Sequence, residues 1–305
     1  MTDTVFVVNP ASGNGATARR WPEIAHRAAA HGVQGEALLT QRPGHAAELA
    51  GAAAANGAGL LVVVGGDGTV NEAVNGLLRA QRTEVELALL PQGTGDDFAR
   101  SFKIPGDLED ALATAAGSNV RAVDVGRARF RSWDGAETER YFANFAGAGI
   151  SGAIAKRGAE TSRRLGARPA YFWATVAVFV RWRPVDVRVQ IGDETREGPM
   201  YEVLVANGGY AAGGMWVAPQ AVVDDGLFDA VLIKDVTKPE FVATFPKIYR
   251  GKHVGHPKVE ILRASTVAVD ADTPLPVVLD GEQPGTTPAR FDVVPRALKL
   301  RVPRP

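Results

Sequence analysis

Two kinds of hydrophobic spacing alternate through the first third of the chain. Thr4 to Val8, Leu60 to Val64 and Leu87 to Leu90 are short, nearly continuous apolar runs, and Gly35 to Thr40 is a weaker one. Such runs, bounded by Gly, Pro and Asn, read as buried strands. Between them, Arg19 to His31, the alanine-rich His45 to Asn56, Val70 to Arg79 and Leu108 to Ala116 carry helical spacing, as in Val70, Ala73, Val74, Leu77 and Leu78. Repeated strand–helix alternation with short turns predicts an α/β domain, doubly wound about a mainly parallel sheet.

After about residue 121 the texture changes. Arg121 to Phe130, Tyr141 to Phe145, Val185 to Ile191, Glu202 to Asn207, Ala230 to Lys234, Val259 to Ala264, Thr266 to Asp270 and Pro276 to Leu279 are strand candidates with few helices between them. Ala167 to Arg181 reads as a helix, and Arg290 to Val302 as two further strands. The expectation is a β-rich, mainly antiparallel second domain. The division expected is an α/β domain over 1–125 and a β-rich domain over 126–290, with strands of about 290–305 returning to the first.

A length of 305 residues suits about two domains. Acidic and basic residues balance at 34 each, which argues against a nucleic-acid binder. The absence of cysteine excludes disulfides and thiolate zinc sites and suits a reducing, cytoplasmic setting. No basic segment precedes a long apolar stretch at the N-terminus, so no signal peptide is expected. Pro169 to Trp182 is shorter than the ~20 residues that span a bilayer.

The chemistry concentrates in three turns. Gly65-Gly66-Asp67-Gly68-Thr69 lies between an apolar run and a helical pattern. A glycine turn at a helix N-terminus presents backbone N–H groups to phosphate, and the missing Cβ atoms let the ligand approach. The carboxylate of Asp67 would repel phosphate unless a cation intervened, so the turn points to a nucleotide with Mg²⁺; the alternative is a tight structural turn. Asn9-Pro10-Ala11-Ser12-Gly13 and Pro91-Gln92-Gly93-Thr94-Gly95-Asp96-Asp97-Phe98-Ala99-Arg100 follow two other predicted strands. Ligands of open α/β sheets bind at those strand ends. The phosphate loop GxxxxGK[ST] and the protein-kinase signatures are absent.

These three turns resemble those of the diacylglycerol kinase catalytic family, and especially its bacterial soluble lipid kinases. The third departs from the family pattern once, with Asp96 where Asn is usual. Later blocks resemble the family in the same order: Thr40 with Gly44-His45-Ala46, Asn207-Gly208, Gly213-Gly214, Pro219, Asp224-Asp225-Gly226-Leu227-Phe228-Asp229, Gly251-Lys252-His253 and Asp280-Gly281-Glu282. The resemblance implies an NAD kinase/diacylglycerol kinase-like fold and an ATP-dependent, Mg²⁺-dependent lipid kinase, with diacylglycerol the first acceptor to expect. It implies nucleotide contacts from Asn9, Ser12, Thr40, Gly65, Gly66, Asp67, Gly68, Thr69, Val70, Asn71 and Thr94, with ATP in a cleft between the domains. It gives Glu282 the role of general base and Asp67, supported by Asp97, a place in the Mg²⁺–phosphate network. It makes Asp224, the Leu227 carbonyl and Asp229 a structural metal site, whereas spacing alone favours reading that segment as a solvated acidic turn.

Other readings compete. NAD kinase shares the Gly-Gly-Asp-Gly turn, and a non-catalytic nucleotide or lipid sensor fits the same scaffold. Gly147-Ala148-Gly149-Ile150-Ser151-Gly152 fits a dinucleotide fingerprint, yet no acid occurs from Thr161 to Val185 to meet a ribose, so close strand–helix packing explains the glycines better. His253 and His256 lack a carboxylate or cysteine partner at metal-ligand spacing and read as a loop pair. Lys156 to Arg183 carries seven basic residues, five aromatics and one acid, Glu160. That composition suits either peripheral docking on an anionic membrane or a core helix with solvated flanks.

Overall fold

The computed structural model describes residues 3–160, 175 and 177–304, with the side chains of 156–160 left aside. Most of the predicted helix at Ala167 to Arg181 therefore lies outside the described residues; 177–181 are helical. The chain divides into two compact units, Met1–Val125 with Pro295–Pro305, and Gly126–Val294.

The first unit is a parallel α/β sheet. Strands β1 (Thr4–Val8), β2 (Glu36–Leu39), β3 (Leu60–Gly65) and β4 (Glu86–Pro91) run in the order β2-β1-β3-β4. Helices α1 (Ser12–Ala30), α2 (His45–Ala55), α3 (Asp67–Arg79), α4 (Asp97–Ser101) and α5 (Leu108–Ala116) connect them. Alternate strand side chains face opposite sides. Phe6, Val8, Val62, Val64, Ala88 and Leu90 pack with Ile24 and Ala28 of α1 and Leu108, Ala111 and Leu112 of α5. Val5, Val7, Leu61 and Val63 are equally buried on the other face, which α2 and α3 contact. Gly76 permits the α2–α3 approach, because a Cβ there would stand 2.2 Å from the Ala47 carbonyl oxygen. The helix α1 starts earlier than its apolar spacing suggests. Its first turn contains Gly13, Asn14 and Gly15 in left-handed conformation, which a 3.6-residue period cannot register.

The second unit is antiparallel. Its strands are β5 (Val120–Ser132), β6 (Glu137–Phe142), β7 (Phe145–Gly149), β8 (Val185–Ile191), β9 (Glu194–Ala206), the short pair β10 (Tyr210–Ala211) and β11 (Met215–Trp216), β12 (Phe228–Lys234), β13 (Val259–Ala264), β14 (Thr266–Ala271), β15 (Pro276–Leu279) and β16 (Glu282–Arg301). β5 and β16 also run into the first unit, where Lys299 and Leu300 pair parallel with Glu86 and Leu87. Pairing runs β8-β9-β7-β15-β16-β14 and returns to β8, so these six strands close on themselves. Their inward residues, among them Val203, Val277 and Phe291, fill one core with Phe142 of β6 and Phe228 of β12.

Three differences from the sequence reading have physical causes. Tyr141 to Phe145 is two strands, because the backbone breaks at Ala143-Asn144 where Asp280 gathers three N–H groups. The two strands expected over Arg290 to Val302 are the end of one long strand, β16. Helices α6 (Ile150–Glu160) and α7 (Lys238–Thr244), and the 3₁₀ turns Phe245–Arg250 and Lys252–Gly255, escaped notice. They are glycine-rich, short or proline-interrupted, so no apolar period accumulates.

Candidate active site

The strand register brings the three polar turns to one edge of the first unit. Val8 stands beside Leu39 and Val64, and Gly65 beside Pro91. The chain leaves each strand at the same level. There the Asn9 N–H donates to the Val64 carbonyl, Thr40 N–H to Val8 and Gln92 N–H to Gly65, each at 2.9 Å. Of the strands beneath, β1, β3 and β4 are almost wholly buried, and each Val or Leu so buried contributes roughly 1.5–3 kcal/mol, which makes the platform rigid; β2 is a largely exposed edge.

The turns are tied to one another. Asn9 Nδ2 donates to Thr69 Oγ1 at 2.9 Å, while Asn9 Oδ1 accepts the Ala11 N–H at 3.0 Å. Ser12 Oγ donates to the Asn9 carbonyl at 2.8 Å and lies 2.6 Å from Thr17 Oγ1. Two glycines let the second and third turns touch, since a Cβ on Gly66 would lie 2.9 Å from Gly93 Cα. Gly66 begins α3 in extended conformation and no side chain caps that helix. The space a Cβ would take on Gly68 is open, with no atom within 4 Å. An uncapped helix start with open space over a glycine suits an anion. Of the other predicted nucleotide contacts, Thr40 is half-buried and Thr94 is exposed at the tip of the third turn. Val70 and Asn71 are buried, with Asn71 accepting from Asn75 Nδ2 through both its carbonyls. The Val70 side chain belongs to the core, so only its backbone is available to a ligand.

Three carboxylates meet where the second and third turns adjoin. Asp67 Oδ1 accepts the Phe98 N–H at 2.8 Å and so fixes the start of α4. Asp97 is buried against Arg100, at 3.1 Å. Asp96 sits at φ 51°, and its Oδ1 accepts the Gly93 N–H at 3.2 Å. An Asn in its place could accept that same bond, so Asp96 differs by charge and not by geometry. Burial, and then the neighbouring Asp67 charge, push its carboxyl above the usual range.

The remaining predicted residues lie in the second unit. Asp280 and Gly281 both have positive φ and form the two-residue turn that pairs Leu279 with Glu282. Glu282 is 44% exposed and accepts from Arg140 Nη1 at 3.0 Å. Asp225 accepts the Leu227 N–H at 3.1 Å and pairs with Arg263. Asp229 is buried, and its Oδ1 accepts no hydrogen bond, with Arg263 Nε 3.4 Å away. Burial raises its carboxyl, with Arg263 opposing. A buried carboxylate oxygen without a donor, close in sequence to Asp224 and the Leu227 carbonyl, fits an oxygen site for a hard cation. No group of three or more His, Asp or Glu side chains placed to hold a metal ion occurs among the described residues. His253 Nε2 lies 3.0 Å from the Val217 carbonyl, and His256 Nδ1 accepts the Lys258 N–H at 3.2 Å.

Two carboxylates, Glu72 and Glu202, and the structural role of a third, Asp280, escaped the sequence reading. Glu72 accepts the Gly44 and Ala46 N–H groups at 2.8 and 3.0 Å, anchoring the start of α2 just past Thr40. Asp280 accepts from Ala143, Asn144 and Phe145, shaping the corner between β6 and β7. Glu202 is buried and accepts the Ser151 N–H and hydroxyl, both at 2.7 Å. Burial pushes it up to about 7. It also accounts for Gly147, while Pro276 accounts for Gly152. A Cβ on Gly147 would lie 2.4 Å from Glu202 Oε1, and one on Gly152 would lie 2.7 Å from Pro276 Cβ. The signal was available, a lone acid in the apolar run Met200 to Ala206.

Residues 3–128 match the diacylglycerol kinase catalytic domain, and residues 145–302 match the YegS C-terminal NAD kinase beta sandwich-like domain. The chain belongs to the diacylglycerol kinase family. It is a lipid kinase, a phosphotransferase with an alcohol acceptor. The kinase is 26% identical to the diacylglycerol kinase of Staphylococcus saprophyticus over 94% of this chain and 90% of that one. It is 28% identical to that of Staphylococcus carnosus over 98% and 94%. A crystal structure of a diacylglycerol kinase from Bacillus anthracis superposes with a TM-score of 0.75 at 24% identity, covering 98% of the kinase and 96% of that chain. Yeast NADH kinase shares the fold more distantly, with a TM-score of 0.50 at 12% identity over 98% and 78%. Among the described residues of the kinase, no helix is long and apolar enough to cross a membrane.

Proposed function

We propose that this lipid kinase transfers the γ-phosphate of ATP to the free hydroxyl of diacylglycerol, giving phosphatidic acid and ADP. The observation that carries the nucleotide part is the uncapped start of α3 at the edge shared by the three turns, with open space over Gly68. The acceptor is supported by the relatives, which are named diacylglycerol kinases.

In this reading the N–H groups at the start of α3 hold phosphate, while Asn9 keeps Thr69 and the first turn in register. Asp67 and Asp97 make the phosphate edge acidic, which calls for a cation between carboxylate and phosphate. Bound with ATP, Mg²⁺ supplies that charge compensation for the transferring phosphoryl group. A second, structural ion would be held by Asp224, the Leu227 carbonyl and Asp229. Glu282 accepts the proton of the attacking hydroxyl as its oxygen bonds to phosphorus and the bridging oxygen leaves with ADP. Arg140 fixes the Glu282 carboxylate. The lipid is met at a membrane surface, and the protein works in the cytoplasm, in peripheral contact with the inner face.

The test is incubation with γ-labelled ATP, Mg²⁺ and separate acceptors: diacylglycerol, phosphatidylglycerol, ceramide, a sphingoid base and NAD. Label in phosphatidic acid is expected. Label in another product only, or in none from folded protein, overturns the acceptor or the reaction respectively.

A further inference from the structure

Seven large apolar side chains are exposed among the described residues, and four of them fall in two stretches of the second unit. Val180 is 54% exposed in the first, and Val242 is 68% exposed in the second, with Tyr249 and Val254 beyond it. A column of rings joins the stretches. Phe179 stacks on Phe241 with centroids 3.6 Å apart, and Phe241 on Phe245 at 5.0 Å. Phe179 and Phe245 are buried, so the column turns inward. Lys238 and Val242, four residues apart on α7, are neighbours and both exposed. In the following 3₁₀ turn Lys247 and Arg250 are three apart and eclipse one another.

The charge of these stretches is one-sided. Arg181, Arg183, Lys238, Lys247, Arg250 and Lys252 are exposed, and none has an ion pair among the described residues. The single acid between 238 and 258, Glu240, is taken by Lys258 at 2.9 Å. Elsewhere in the unit most arginines are matched, among them Arg129 and Arg290 with Asp292 and Arg188 with Glu197, with Arg131 an exception among the described residues. Unmatched cations interleaved with exposed aliphatic and aromatic groups complement an anionic interface, where charge is neutralised and apolar tips leave water.

We propose that α7 and its two 3₁₀ turns, together with residues 177–183, form the surface by which this kinase docks on an anionic lipid bilayer. The inference deepens the lipid-acceptor reading by naming how the enzyme meets its substrate phase. Each cation near such a surface is worth a factor of about five in partitioning, so removing three costs up to about 100-fold. Full-length protein is co-sedimented with vesicles of phosphatidylcholine alone and of phosphatidylcholine with phosphatidylserine. Wild type is expected on the anionic vesicles only. The triple variant Lys238→Gln, Lys247→Gln, Arg250→Gln and, separately, Val242→Ser with Tyr249→Ser each lose binding. Both keep wild-type circular dichroism and wild-type turnover of a short-chain diacylglycerol dissolved as monomer. Binding within twofold of wild type for both variants, or equal binding to neutral vesicles, overturns the docking surface. Variant-sensitive vesicle binding without phosphorylation of any lipid upholds the surface and removes the acceptor reading.

Discussion

Gly68→Ala should stabilise the protein and weaken nucleotide binding, two effects of opposite sign from one methyl group. Gly68 is the second residue of α3, and its Cβ position is empty. Alanine there restricts the unfolded chain and favours helix by about 0.5–1 kcal/mol, which raises Tm by about 1–4 °C. If phosphate packs over the Gly68 N–H, the same methyl occupies ligand space. An overlap of that kind costs about 1–3 kcal/mol, or about 5- to 150-fold in Kd. Gly66→Ala is the control. Its φ of −104° suits any residue, yet its Cβ would stand 2.9 Å from Gly93 Cα, where carbon atoms prefer about 3.5–4.0 Å. That variant should lose both stability, by about 1–3 kcal/mol, and affinity. Thermal unfolding without ligand, and calorimetry with a non-hydrolysable ATP analogue and Mg²⁺, measure the two quantities separately. Wild-type affinity in Gly68→Ala would refute the phosphate position. Wild-type stability in Gly66→Ala would refute the contact between turns.

Glu282→Gln should lower kcat by about 10²- to 10⁴-fold with nucleotide affinity retained, read from steady-state kinetics and calorimetry. Asp96→Asn keeps the Gly93 hydrogen bond and removes a charge repelled by Asp67. Because the folded carboxyl is raised, wild-type stability falls as pH rises above the ordinary Asp value of 3.8; the variant should be more stable at neutral pH, with the gain vanishing towards pH 4 in thermal melts. Glu202, raised from 4.5 to about 7, makes the second unit lose up to about 3 kcal/mol as pH rises across that interval, a slope that flattens above pH 7. Glu202→Gln should abolish that slope in denaturant titrations at several pH values.

The α/β-then-β plan was legible because buried parallel strands are continuous apolar runs, as in Leu60 to Val64, and because helices such as α3 keep a 3.6-residue period. The polar turns were legible too, since glycine and proline punctuate the chain wherever the backbone must turn tightly. Elements without a period were not: α4 and α7 are short, and α6 is rich in glycine. Glu202 and Glu72 escaped for another reason. Their partners, Ser151 and Gly44, lie 51 and 28 residues away, and sequence pattern reports only near neighbours.

By itself, then, the sequence determined where most buried strands lie, where the glycine turns fall and which family they resemble, because local backbone preference and apolar periodicity are written residue by residue. The tertiary structure decided what those turns share. Register alone sets Val8, Gly65 and Pro91 level, and only that alignment lets Asn9 hold Thr69 and Gly66 touch Gly93. It also decided the charge of the site, since the shift at Asp96 arises from burial and from Asp67, 29 positions earlier in the chain. Burial and proximity are properties of the folded chain, and they turn a set of separate glycine turns into one connected polar edge.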